Sequence, residues 1–166
     1  ISQQEPPFPP KFVCMRTPFW DQMDLDAQEA FNALVQALGD QAVIIELPEI
    51  SKVAVDRLRT IVDAEFASVM SEHLTHASEA VSEKVRQIVA RGTAIKAVDY
   101  LKAKEGIEPA IAGFDEFFDR FDAILTPASL GSAPKGLEST GDAIMNALWS
   151  YTGMPAITLP LLQSAD

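Results

Sequence analysis

Apolar positions recur along this chain with two different periods, and the changes between them outline a fold. Residues 11–16 (KFVCMR) form a short apolar run of β-type residues, which predicts a strand. Residues 17–21 (TPFWD) break it. Ala27, Ala30, Phe31, Leu34, Val35 and Leu38 then recur at helical spacing, with Gly39 placed to stop the helix. Residues 42–47 (AVIIEL) predict a second strand, closed by Pro48. Strand, helix and strand with short joints make a βαβ unit, so these strands are expected to run parallel.

From residue 51 to about residue 120 the helical period of 3.6 holds throughout. Leu58, Ile61, Val62, Phe66, Val69 and Met70 line one long helix. Val81, Val85, Ile88 and Val89 line a second, with Gly92 expected just after it. Ile95, Val98 and Leu101 line a third, ending near Gly106. Ile111, Phe114, Phe117, Phe118 and Phe121 mark a fourth, entered after Pro109.

Residues 122–127 (DAILTP) predict a third strand. A loop with Gly131, Pro134 and Gly136 follows, and residues 139–142 (STGD) supply cap-type side chains for a helix. Ile144, Met145, Leu148 and Trp149 share one face of that helix, Gly153 ends it, and residues 155–160 (PAITLP) predict a fourth strand. Strands that are apolar on both faces need cover on both faces. The expected fold class is therefore α/β: a parallel or mixed sheet of about four strands flanked by helices. The proline-rich opening, residues 1–10, reads as a lead-in linker. The remainder reads as one domain, with a helical segment over 51–120 and a strand–loop–helix–strand segment over 121–161.

Composition narrows the partners. The chain has 166 residues, 48% of them hydrophobic, and its mean hydropathy is +0.08, so a buried core is affordable and disorder is not expected. Net charge is −11. Residues 1–50 contribute −6, residues 51–110 contribute 0 and residues 111–166 contribute −5. Acidic ends repel phosphate backbones and anionic headgroups, which argues against nucleic acid or a membrane as partner. No apolar run approaches the ~20 residues of a membrane-spanning helix. The pattern of a signal peptide is not seen, and a cytoplasmic location is the default expectation. Cys14 is the single cysteine; it cannot make an internal disulfide and is expected to be a buried structural thiol. The chain opens at Ile1 and its first methionine is Met15, so it is expected to be a processed or excised piece.

Chemistry is harder to find. His73 and His76 stand three apart on a helix, but Leu74 occupies the place where a zinc-protease pattern needs Glu. Asp21, Asp24 and Asp26 lack the ligand series of a calcium loop and read as helix-start acids. Glu65, beside the core stripe, reads as a structurally satisfied carboxylate. Ser132 or Ser139 with Lys135 is a conceivable nucleophile–base pair, yet nothing in the loop fixes it. Trp20 lies in a strand-to-helix joint, where core and pocket wall are equally open. Trp149, by its place on an apolar face, reads as core. No catalytic residue, metal site or cofactor is expected within the chain.

The stretch DAILTPAS…APKGLESTGD…NALWSYTGMPAITLP, from Asp122 to Pro160, resembles the later half of the amidase signature enzymes. The segments RTPFWD and DAEFA fall in the matching order, so the resemblance spans nearly the whole chain. It implies an incomplete portion of an α/β/α fold and a parent that hydrolyses a small carboxamide, in some members with transfer of the nitrogen. The family's machinery is a serine nucleophile, a second serine on a cis peptide and a lysine. In family members these lie earlier than the first residue here, and this chain has neither a Ser-Ser nor a Gly-Gly pair. The resemblance therefore places no catalytic residue in this chain. It makes Thr126, Pro127, Asn146 and Trp149 candidates for the wall of a substrate channel, and it implies self-association through surfaces that the missing portion would cover. The alternatives are a non-catalytic α/β binding or assembly module and a minimal hydrolase built on Lys135.

Overall fold

A computed structural model describes residues 8–47, 51–76, 79 and 81–163. Pro48 and the first part of the proline-rich opening lie outside the described residues. Three strands form one parallel sheet in the order β2-β1-β3: β1 is Phe12–Arg16, β2 is Ala42–Glu46 and β3 is Ala123–Leu125. The register sets Val13 opposite Val43 on one side and Ile124 on the other. Asp122 extends the β1–β3 ladder. Its carboxylate accepts from the Lys11 N–H at 2.8 Å, and its own N–H donates to Lys11 O at 2.8 Å.

β1 is sealed on both faces, because its alternating side chains enter two different cores. Val13 and Met15, both fully buried, join Ile61, Ala103, Phe114, Leu148 and Trp149. Cys14, equally buried, points to the opposite side and joins Phe31 and Val35 of α1 (Leu25–Leu38). The layers are thus α1 on one face of the sheet, and on the other α2 (Ser51–His76), α4 (Ala97–Glu105), α5 (Ile107–Phe118) and α6 (Ile144–Thr152). α3 (Glu83–Thr93) packs along α2. The class is α/β, as expected. Among the described residues no helix is long and apolar enough to cross a membrane.

Four expectations need correction. The segment 155–160 is not a strand; among the described residues the sheet has three. Pro155 and Pro160 have no N–H to donate to a ladder. Leu161 N–H instead donates to Leu159 O at 2.9 Å, a local turn. Gly92 does not follow α3 but sits inside it. A Cβ there would stand 1.9 Å from the Asp63 carbonyl oxygen, so a glycine is needed where α2 and α3 touch. α5 starts two residues before Pro109, which occupies the first turn, where no intrahelical N–H is required. Val62 and Val69, read as core, are 49% and 67% exposed, while Asp63 is buried and held by Arg91 at 3.0 and 3.3 Å. An apolar stripe on one helix is buried only where a neighbour lies against it.

Glu65 is satisfied as expected: the Tyr100 hydroxyl donates to it at 2.8 Å. Trp20 packs edge-on to Phe31, with the Arg16 guanidinium 4.7 Å from its ring.

Candidate functional site

Among the described residues β3 pairs with one strand, β1, and its other flank borders a groove of about 900 Å³. That volume suits a small organic ligand. A second hollow between α2 and α4, of about 180 Å³, does not. The groove runs from the end of β3 along α1 and α5, reaches the inner face of α6, and is flanked by residues 154–163. Its walls are mostly apolar: Phe31 and Leu34 from α1, Ile111 and Phe118 from α5, Ile124 and Leu125 from β3.

Thr126, Pro127, Asn146 and Trp149 all line this one groove. The local folding explains why. β3 stops at Leu125 and Pro127 turns the chain out of the sheet. The loop then crosses to α6, whose first turn is held by Asp142: its carboxylate accepts from the Ile144 N–H at 2.9 Å. Asn146 returns the connection, its side-chain amide donating to Ala128 O at 2.7 Å. Strand end and helix start are thereby tied together across 18 residues. Gly153, at φ 67°, ends α6 in the left-handed conformation and sends residues 154–163 past the groove.

Trp149 does two things at once. Its ring packs on Phe114 at 5.4 Å between centroids, so it is core, and it also lines the groove. It is 8% exposed, and its Nε1 is buried without a hydrogen-bond partner. The Thr126 hydroxyl is in the same condition. An unsatisfied buried donor or acceptor costs about 1–3 kcal/mol, and most native structures avoid it. Among the described residues three such atoms occur: these two belong to groove-lining residues, and the third, Arg16 Nε, lies outside the groove.

The groove holds no hydroxyl–base pair among the described residues. Ser129 donates to Gly131 O at 2.8 Å and Ser139 accepts from the Gly141 N–H at 3.1 Å. Neither these nor Ser132 hydrogen-bonds Lys135. Among the described residues the charged lining residues are Asp26, Asp115 and Asp122, with no Lys, Arg or His. Burial pushes the Cys14 thiol above the usual range, which suits a structural role. Among the described residues no group of three or more His, Cys, Asp or Glu side chains is arranged to hold a metal ion.

Sequence reasoning missed the contribution of α1 and α5. Phe31, Leu34, Ile111 and Phe118 have the helical periodicity of core residues, and nothing local separates a core-facing position from a groove-facing one.

No family model matches the chain. It is 30% identical over 158 residues to the 2-amino-5-chloromuconic acid deaminase of Comamonas testosteroni. The match covers 86% of this chain and 34% of that protein, so the chain spans about a third of the length of the curated relative it resembles.

Proposed function

We propose that the chain is the channel-building portion of an amidase signature hydrolase, and that it is inactive by itself. In this reading the parent cleaves a carboxamide C–N bond with a Ser-Ser-Lys triad carried by polypeptide outside these residues. The observation that carries the proposal is convergence. Four positions singled out from a motif-bearing stretch, Thr126, Pro127, Asn146 and Trp149, meet on one ligand-sized groove that has no hydroxyl–base pair among the described residues. The similarity to a deaminase over about a third of that protein's length supports the same reading. The relative is named for an acid; the charge of the present groove bears on whether that class of compound enters it.

The test has two readouts on the purified 166-residue chain. Ammonia release from carboxamides should not exceed that of a Lys135→Ala variant. Benzamide should move the indole N–H proton signal of Trp149. Turnover that disappears with Lys135→Ala would favour the minimal hydrolase instead, and an unmoved Trp149 signal would remove the channel role.

An assembly role is favoured by a separate observation. β2 is an edge strand among the described residues, with Val43 and Ile44 at 48% and 44% exposure. An exposed apolar edge is a template for pairing with another chain. Self-association through this edge is the expected behaviour of the isolated chain, and sedimentation that shows only monomer at high concentration would refute it.

A further inference from the structure

We propose that the groove sorts ligands by charge: it takes a carboxamide carrying a positive charge most readily, then a neutral one, and disfavours one that carries a carboxylate. The proposal rests on the channel-wall reading above.

A carboxylate ligand needs a cation or several aligned donors to replace its hydration. This groove supplies no Lys, Arg or His among its described lining residues. It supplies three carboxylates from three places in the chain: Asp26 near the start of α1, Asp115 on α5 and Asp122 at the head of β3. None is neutralised by an ion pair that the structure records. Among the described residues the Asp26 carboxylate accepts from the Ala27 N–H and the Asp122 carboxylate from the Lys11 N–H, both uncharged backbone donors. The surrounding segment has the same sign, since residues 111–166 sum to −5. Apolar walls strengthen the bias by focusing the field of the rim charges into the groove.

A second observation marks the groove as a place for a ligand and not merely an acidic surface. Trp149 is 8% exposed, lines the groove, and holds a buried Nε1–H with no acceptor. With its Nε1 out of contact with solvent, the indole offers no counter-charge to a ligand. It falls short of what a buried carboxylate demands. A dicarboxylate of the kind named for the deaminase relative would meet three like charges and no counter-charge.

Three ligands with one ring test this: para-aminomethylbenzamide, para-methylbenzamide and para-carbamoylbenzoate, which are cationic, neutral and anionic at neutral pH. The readout is the Trp149 indole N–H proton signal of the 166-residue chain, assigned by its persistence in Trp20→Phe. The expected result is binding of the first two, with the carboxylate about tenfold weaker than the cation. The gap should shrink in about 0.5 M salt, because exposed charges are screened. Asp115→Asn, at an exposed position, should narrow the gap from both sides, weakening the cation and improving the anion while leaving the neutral ligand unchanged. Equal or tighter binding of the carboxylate would overturn the charge selection while leaving the channel reading intact. If none of the three moves Trp149, the channel reading falls and the proposal with it.

Discussion

Replacing Gly92 with Ala should destabilise the chain, although a bare helix argument says the opposite. Ala in a helix interior is favoured over Gly by about 1 kcal/mol. Gly92 lies within α3, so an isolated or loosely packed α3 would gain from the change. The structure reverses the sign. A Cβ at residue 92 would stand 1.9 Å from the Asp63 carbonyl oxygen and 2.6 Å from the Ala67 Cβ. Asp63 O is backbone and cannot swing aside, so α3 must move away from α2. That movement also draws Arg91 from Asp63, whose carboxylate it now grips at 3.0 and 3.3 Å. Overpacking of this kind costs about 1–3 kcal/mol or more, which exceeds the propensity gain. For a chain of this size the melting temperature should fall by about 2–10 °C. Thermal unfolding followed by far-ultraviolet circular dichroism measures it. Adding Ala67→Gly should not restore stability, because the carbonyl remains. A Gly92→Ala variant that melts higher than the parent would show that the two helices are not in this close approach.

Other outcomes follow from the same geometry. Thr126→Val removes an unpartnered buried hydroxyl, so chemical denaturation should show no loss and a gain of up to about 1 kcal/mol; a loss of that size would mean the hydroxyl has a partner. Tyr151→Phe removes a buried bond from the Tyr151 hydroxyl to Ala103 O at 2.6 Å and should cost about 1–2 kcal/mol in the same assay; an unchanged midpoint would deny that the bond tethers α6 to α4. Cys14 is fully buried, with its thiol pushed above the usual range by burial, so its folded pKa exceeds its unfolded one. The stability that depends on the protonated thiol is then intact below the unfolded value near ~8.5 and declines as pH rises beyond it. Cys14→Ala should flatten that part of the stability–pH curve, and a thiol reagent should label the native parent only as fast as it opens.

Much of the fold is legible locally because local signals and tertiary placement agree. β1 reads as buried in KFVCMR because three consecutive residues, Val13, Cys14 and Met15, are sealed from both faces. α6 reads from its apolar face and from Gly153, which ends it; its N-cap is Ala143, without a side-chain cap, and Asp142, one residue earlier, instead accepts from the Ile144 N–H. The failures share one cause: they depend on what lies alongside. PAITLP has strand-like residues, but a strand exists only when paired, and its flanking prolines offer no donors. Gly92 reads as a stop when taken alone and as a contact point once α2 is beside it. The site divides in the same way. Thr126, Pro127, Asn146 and Trp149 come from one continuous stretch and were found together. The α1 and α5 walls, and the orphaned polar atoms of Thr126 and Trp149, emerge only from the assembled chain.

The most direct measurement is a crystal structure of the chain grown with benzamide. The account predicts the ligand beside Thr126, Asn146 and Trp149, with its amide bond intact. Benzamide bound elsewhere, or benzoate in its place, would contradict it.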